Sequence, residues 1–232
     1  MSIFQNLKPS LQEQPQSEPV PNPWEPIINA INTYNKDLPK NWTSKNFDNF
    51  ERESGSQLDM VVKVLSKRDL NDPVGVFLSG GAGCGKTHLL LSLMSRLAWF
   101  YYYAQNGIND QIKFYNYSDL CGILRQDPNN FELFCKIRKP AYLFIDDLGV
   151  SKTSDFVQEK IYSIFNYRVE NELPTFVSTN LTIQEIANEF TERMTSRIKQ
   201  SSVWVELKNQ KDYRSKHFIE NMNKYKKIME AP

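Results

Sequence analysis

Four of the nine glycines in this 232-residue chain fall within six residues, in Gly80-Gly81-Ala82-Gly83-Cys84-Gly85-Lys86-Thr87. The stretch fits G-x-x-x-x-G-K-[ST] at every fixed position. Such a loop wraps its backbone N–H groups around a chain of phosphates. Lys86 neutralises their charge and the Thr87 hydroxyl ligates a divalent cation. Glycine serves here because the loop takes backbone angles closed to other residues and must approach the phosphates closely. A chance match in a chain of this length is expected about once in a hundred.

The flanks constrain the fold further. Val74 to Ser79 is an apolar run that predicts a buried strand. His88 to Met94 predicts a helix, with Asn106-Gly107 as its stop. Strand, glycine loop and helix in that order put a positive helix N-terminus under the phosphates.

The same alternation continues along the chain. Asp59 to Leu70 predicts a helix, and Asp72-Pro73 a turn before the first strand. Ile112 to Tyr117 predicts a second strand, with Ser118 capping a helix through Leu124. Pro128 and Pro140 punctuate. Ala141 to Ile145 is apolar throughout, as a parallel strand covered on both faces should be. Asp155 to Glu170 predicts a helix with Val157, Ile161, Ile164 and Phe165 on one face. Thr175 to Thr179 predicts a fourth strand. The implied architecture is α/β, three layers around a parallel sheet.

Residues 1–38 read differently. Met1 to Pro23 is rich in Gln, Pro and Ser and reads as a disordered tail. Trp24, Ile27, Ile28, Ile31 and Tyr34 recur at helical spacing. That stripe is expected to dock either on the nucleotide domain, which spans residues 39–232, or on a partner protein.

Net charge is +1, so total charge points to no partner. From Arg193 to Pro232 there are ten Lys/Arg against four Asp/Glu. A basic end of this kind suits either a nucleic-acid backbone or a solvated helix face. Cys84, Cys121 and Cys135 are odd in number and lack ligand spacing, which argues against a disulfide framework or a zinc module. The longest apolar run, Leu97 to Ala104, is far short of the roughly 20 residues that span a bilayer. With no basic-then-apolar leader, the expectation is a cytoplasmic protein without membrane contact.

Leu143-Phe144-Ile145-Asp146-Asp147 is the natural complement of the glycine loop. In open parallel sheets, ligands bind at the carboxyl ends of strands. Asp146 there would hold Mg²⁺ and Asp147 would orient the attacking water. An apolar run ending in Asp is a weak signal by itself and gains weight from the loop before it. Asn180, at the end of the fourth strand, either reaches the γ-phosphate and water or caps the helix beginning near Thr182. Taken alone, the cap is the better reading.

GGAGCGKTHL, LFIDDLGV, IYSIFNYRVENELPTFVSTNLT, ERMTSRI and DYR together resemble the AAA+ helicase loaders of bacterial replication, the DnaC/DnaI type. The IstB-type transposition ATPases are related. The resemblance covers about residues 39 to 216. Its most specific part is Asn166-Tyr167-Arg168 with Leu173-Pro174-Thr175 and Ser178-Thr179-Asn180. It implies a P-loop AAA+ domain with a short C-terminal helical lid reaching Met229. ATP and Mg²⁺ would be held by Gly80 to Thr87 with His88, and Mg²⁺ by Thr87 and Asp146. Lys86, Asp147 as base and Asn180 as sensor 1 would act in hydrolysis. Asp147 stands where many AAA+ proteins carry Glu, which implies slow turnover. Arg197 would be a finger inserted into a neighbouring subunit, with Arg193 one turn away, and Arg214 would be sensor 2. The implied partners are a replicative DnaB-type helicase, single-stranded DNA and further copies of the chain. The alternative is an IstB-like ATPase that assists a transposase.

Overall fold

The computed structural model describes residues 22–36, 38–104, 110–151, 153–208, 212–215, 218–219 and 221–223. The expected tail at residues 1–21, the Asn106-Gly107 stop and the lid's end at residues 224–229 lie outside the described residues.

Five strands form one parallel sheet: β1 (Gly75–Gly80), β2 (Ile112–Asn116), β3 (Tyr142–Leu148), β4 (Thr175–Thr179) and β5 (Ser202–Leu207). Their order is β2-β3-β4-β1-β5. Successive strand residues point to opposite faces. Val76, Leu78, Phe144 and Phe176 enter a core shared with α1 (Glu25–Tyr34), α2 (Gln57–Lys67) and α3 (Lys86–Ala104). Phe77, Leu143, Ile145 and Val177 enter a second core, with α4 (Tyr117–Gln126), α6 (Asp155–Glu170), α7 (Ile183–Glu189) and α8 (Glu192–Ser201). Burial on both faces is why these strands read as continuous apolar runs.

Three local features differ from the sequence reading. The cap of α4 is Asn116, whose side chain accepts from Ser118 N, so Ser118 lies inside the helix. A short helix, α5 (Phe131–Arg138), occupies the span between the two prolines and is capped by Asn130. The edge strand β5 has no counterpart in the sequence reading because it is only half-buried and lacks a continuous apolar run, with Val203 exposed and only Leu207 fully inside.

Of the two destinations open to the Trp24–Tyr34 stripe, the described structure fills one. Ile27 and Ile31 are fully buried in the first core, and Trp24 lies 4.5 Å from the Trp99 ring of α3. Just past the helix, Asn35 uses its amide as a strand would. It donates to Ile112 O at 2.9 Å and accepts from Phe114 N at 2.7 Å. The outer edge of β2 is thereby closed to stray pairing, and packing runs without a break across residue 39. Ile31→Ala should cost about 3 kcal/mol. A thermal melt would register that as a drop of about 10 °C; an unchanged midpoint would mean that α1 contributes nothing to the core.

At the end of the sheet remote from the glycine loop, Arg168 is fully buried. Its Nε donates to Thr175 Oγ1, and its two terminal nitrogens donate to the carbonyls of Arg138, Pro140, Ala141 and Pro174.

Candidate functional site

Parallel pairing brings the carboxyl ends of all five strands to one edge, the usual ligand edge of an open α/β sheet. The glycine loop leaves β1 there and enters α3 at Lys86. Because β4 lies between β1 and β3, its last residues stand between the loop and the two aspartates.

Lys86 is buried, and its Nζ donates to the carbonyls of Gly80 and Gly81 at 2.8 and 2.7 Å. Cys84 is also buried, with its sulfur 3.7 Å from that nitrogen. Gly83 and Gly85 carry φ of +71° and +94°, in the left-handed region. A Cβ on Gly83 would fall 1.7 Å from Asp212 Oδ1, and one on Gly85 2.7 Å from the Phe50 ring. Both positions thus exclude a side chain twice over, by backbone angle and by neighbour.

Thr87 Oγ1 lies 3.0 Å from each carboxylate oxygen of Asp146. Ser178 Oγ donates to Asp146 Oδ1 and accepts from Asp147 N at 2.9 Å. This serine fastens the end of β4 to both aspartates, and the sequence reading gave it no role. Its one signal is the run of small hydroxyl residues, Ser178 and Thr179, at the end of a strand buried throughout. Burial raises the Asp146 carboxyl above the usual carboxylate range, and the neighbouring Asp147 adds to the rise. The hydroxyls of Ser178 and Thr87 oppose it.

Asp147 sits where the pairing of β3 with β4 slips, between Ile145 and Leu148. Its φ is +59°, a conformation that Asp tolerates better than most residues. A bulge of this kind re-aims a side chain beside a functional site. Here Asp147 is brought into a cavity of about 750 Å³.

That cavity runs from Ala82, Gly83, Gly85, Lys86, Thr87 and His88 to a wall made by Pro39, Asn41, Asn49 and Phe50, and it takes in Asn180 and Arg214. Of the other expected site residues, Cys84 and Asp146 are buried beside Lys86 and Thr87, while Gly80 and Gly81 offer their carbonyls to Lys86. Asn180 is free of the capping role weighed above. The α7 cap is Thr182, which accepts from Glu185 N while the Glu185 carboxylate accepts from Thr182 N. His88 Nε2 lies 3.0 Å from both Asn46 O and Asn49 Oδ1, two acceptors, so that nitrogen carries the proton. Arg197 does not line the cavity. It meets Gln200 at 3.1 Å and Glu170 at 3.9 Å on the surface of α8. Arg193, exposed on the same helix, opens on a separate cleft beside Asp155 and Glu159.

A larger cleft of about 1070 Å³ adjoins this cavity and shares Asn49, Phe50, Glu51 and Tyr213 with it. Apart from the shared residues, its lining carries Asp48, Glu53, Asp59 and Asp212 against Arg52, a net negative surface that repels phosphate. The smaller cavity is the one fitted to a nucleotide. The Thr87 hydroxyl, which lines the cavity, and the Asp146 carboxylate next to it are hard oxygen donors that suit Mg²⁺, which usually keeps waters and shares substrate phosphates.

The family described as the bacterial DnaA ATPase domain matches residues 42–204. The chain belongs to that family. The chain is 34% identical over 131 residues to the uncharacterized protein YqaM of Bacillus subtilis, a match over 54% of this chain and 39% of YqaM. It is 26% identical over 118 residues to the replicative helicase loader DnaI of the same organism, over 50% of this chain and 36% of DnaI. The matched part therefore spans well under half of either relative. The crystal structure of the DnaC helicase loader has the same fold, with a TM-score of 0.60 at 22% identity, covering 73% of this chain and 100% of that one. This agrees with the AAA+ architecture expected from the motifs. Among the described residues, no helix is long and apolar enough to cross a membrane.

Proposed function

We infer that this DnaA-family chain binds ATP with Mg²⁺ above Lys86 and hydrolyses it between subunits, as a loader of a replicative DnaB-type helicase onto single-stranded DNA. The observation that carries the ATPase reading is the convergence of Lys86, Thr87, Asp147 and Asn180 on one cavity, with Asp146 behind them. Lys86 and the loop N–H groups hold the β- and γ-phosphates. Thr87 and Asp146 hold Mg²⁺, which when bound neutralises charge developing on the transferred phosphoryl group. Asp147 orients and deprotonates the attacking water, and Asn180 fixes that water or the γ-phosphate. Arg197 stands outside its own cavity and serves the site of a neighbouring copy. ATP shared between two subunits links self-association to nucleotide.

Lys86→Ala should weaken ATP binding by about 100-fold or more, since two charge-assisted contacts to phosphate are lost. Calorimetric titration measures it, and near-wild-type affinity would remove the loop from the site.

The loader reading is supported by the similarity to DnaI and by the Asn166-Tyr167-Arg168 and Ser178-Thr179-Asn180 motifs. Its test is pull-down of purified DnaB-type helicase by the full chain with ATP and Mg²⁺. A chain lacking residues 1–21, which keeps α1, runs alongside. Helicase retained with ATP, and lost in Lys86→Ala, supports a loader. Avid binding of duplex DNA or a transposase, with no helicase, would overturn it.

A further inference from the structure

The side of the cavity where the Phe47–Phe50 segment packs against Gly85 and His88 is held from behind by an ion pair that the ATPase motifs do not include. Arg52 donates through Nε to Asp59 Oδ1 at 2.9 Å. Its Nη1 donates to Phe47 O at 2.9 Å and to Phe50 O at 3.0 Å. One guanidinium therefore bridges α2 to both ends of the Phe47–Phe50 segment. Asp59 is itself fixed, with only 6% of its side chain exposed. Its second oxygen accepts from Gly55 N at 2.9 Å and from Lys63 Nζ at 2.7 Å. These donors hold its carboxyl far below the usual range, the Lys63 bond contributing most.

What the segment carries explains why it is tied. Phe50 is buried, and its ring fills the space beside Gly85 that a Cβ would occupy. The same ring meets His88 edge-on at 5.0 Å. His88 in turn binds Asn46 O and Asn49 Oδ1. The loop N–H groups take the phosphates, and beyond Gly85 and His88 the same cavity continues along Phe50 and Asn49 to Pro39 and Asn41, which leaves that side for the base.

We propose that Arg52 and Asp59 are positioning residues for that base wall. By clamping Phe47 O and Phe50 O to α2, they set how tightly the chain holds a purine base and how well it distinguishes one from another. This rests on the ATP reading given above. A lysine at position 52 keeps the charge but, as a compact ammonium, cannot reproduce the planar fork that spans three acceptors. An asparagine at position 59 keeps the shape and loses the charge.

The test is calorimetric titration of ATP, GTP and inorganic tripolyphosphate, each with Mg²⁺, into wild type, Arg52→Lys, Asp59→Asn and Lys86→Ala. In the two clamp variants, ATP should weaken about tenfold and the ATP-over-GTP ratio should fall. Tripolyphosphate, which has no base, should change less than about twofold. A general loss of stability would weaken all three ligands alike, and that result overturns the proposal. So does unchanged ATP affinity. Phe50→Leu, which leaves the ion pair intact, provides the same comparison if a clamp variant fails to fold. Equal loss of ATP and tripolyphosphate there also overturns the proposal. If wild type binds tripolyphosphate but not ATP, or if Lys86→Ala binds ATP normally, the ATP reading has failed. That pattern differs from every clamp outcome.

Discussion

Arg168→Leu is expected to lower the stability of this chain by about 3–5 kcal/mol, the loss typical of breaking a buried charged contact. The thermal midpoint should fall by about 10 °C or more. A guanidinium has five N–H donors, and at Arg168 all five have oxygen acceptors. Four acceptors are carbonyls at the end of α5 and at the entries to β3 and β4. Burial lowers the Arg168 pKa to about 9, which leaves it charged at neutral pH. Leucine would strand those carbonyls without donors, at about 1–3 kcal/mol for each that water cannot reach. Water entering the gap keeps the sum well below the full total. Arg168→Lys should recover little, since an ammonium cannot span four carbonyls from one point. ATP affinity of the folded fraction should stay within about twofold, because the clamp lies at the end of the sheet opposite the glycine loop. A midpoint within about 2 °C of wild type would show that these bonds do not hold the sheet together.

Arg197→Ala is expected to leave ATP binding within about twofold and to reduce stimulated hydrolysis by about 10³-fold, the lower bound for an arginine supplied in trans. Its present contacts, with Gln200 and at 3.9 Å with Glu170, are weak surface contacts that a better partner can replace. Mixing tests the trans arrangement directly. Lys86→Ala has a damaged loop and an intact Arg197, while Arg197→Ala has the reverse. Each is inactive alone, and together they form some intact interfaces. Recovery of hydrolysis in the mixture, measured with DNA and helicase present, is the expected result. No recovery from well-folded variants would mean that Arg197 does not reach a neighbour's phosphate.

Residues close together in the chain were the readable part of the site. The glycine loop is contiguous, and its chemistry depends on backbone that neighbouring residues control. Asp146 and Asp147 end an apolar run, and the run announces a buried strand. Residues whose work depends on distant partners gave no such signal. Arg168 belongs to the motif that carries the family resemblance, but its structural work shows only once the carbonyls of α5, β3 and β4 surround it. In the sequence Asp59 marks only the start of a predicted helix, and nothing local ties Arg52 to it. Asn180 taken alone reads better as a helix cap, but Thr182 holds that place.

The amino-acid sequence by itself determined that this is a parallel α/β protein with a phosphate-binding loop. Apolar period and glycine chemistry act within a few residues and need no knowledge of the rest of the chain. Tertiary structure decided the strand order, since nothing local says that β4 inserts between β1 and β3. That order places Ser178 against both aspartates and puts Asn180 beside the loop. It also decided that the Ile27 and Ile31 face of α1 is used inside the chain. An amphipathic stripe specifies that something apolar must cover it, and only packing determines what does.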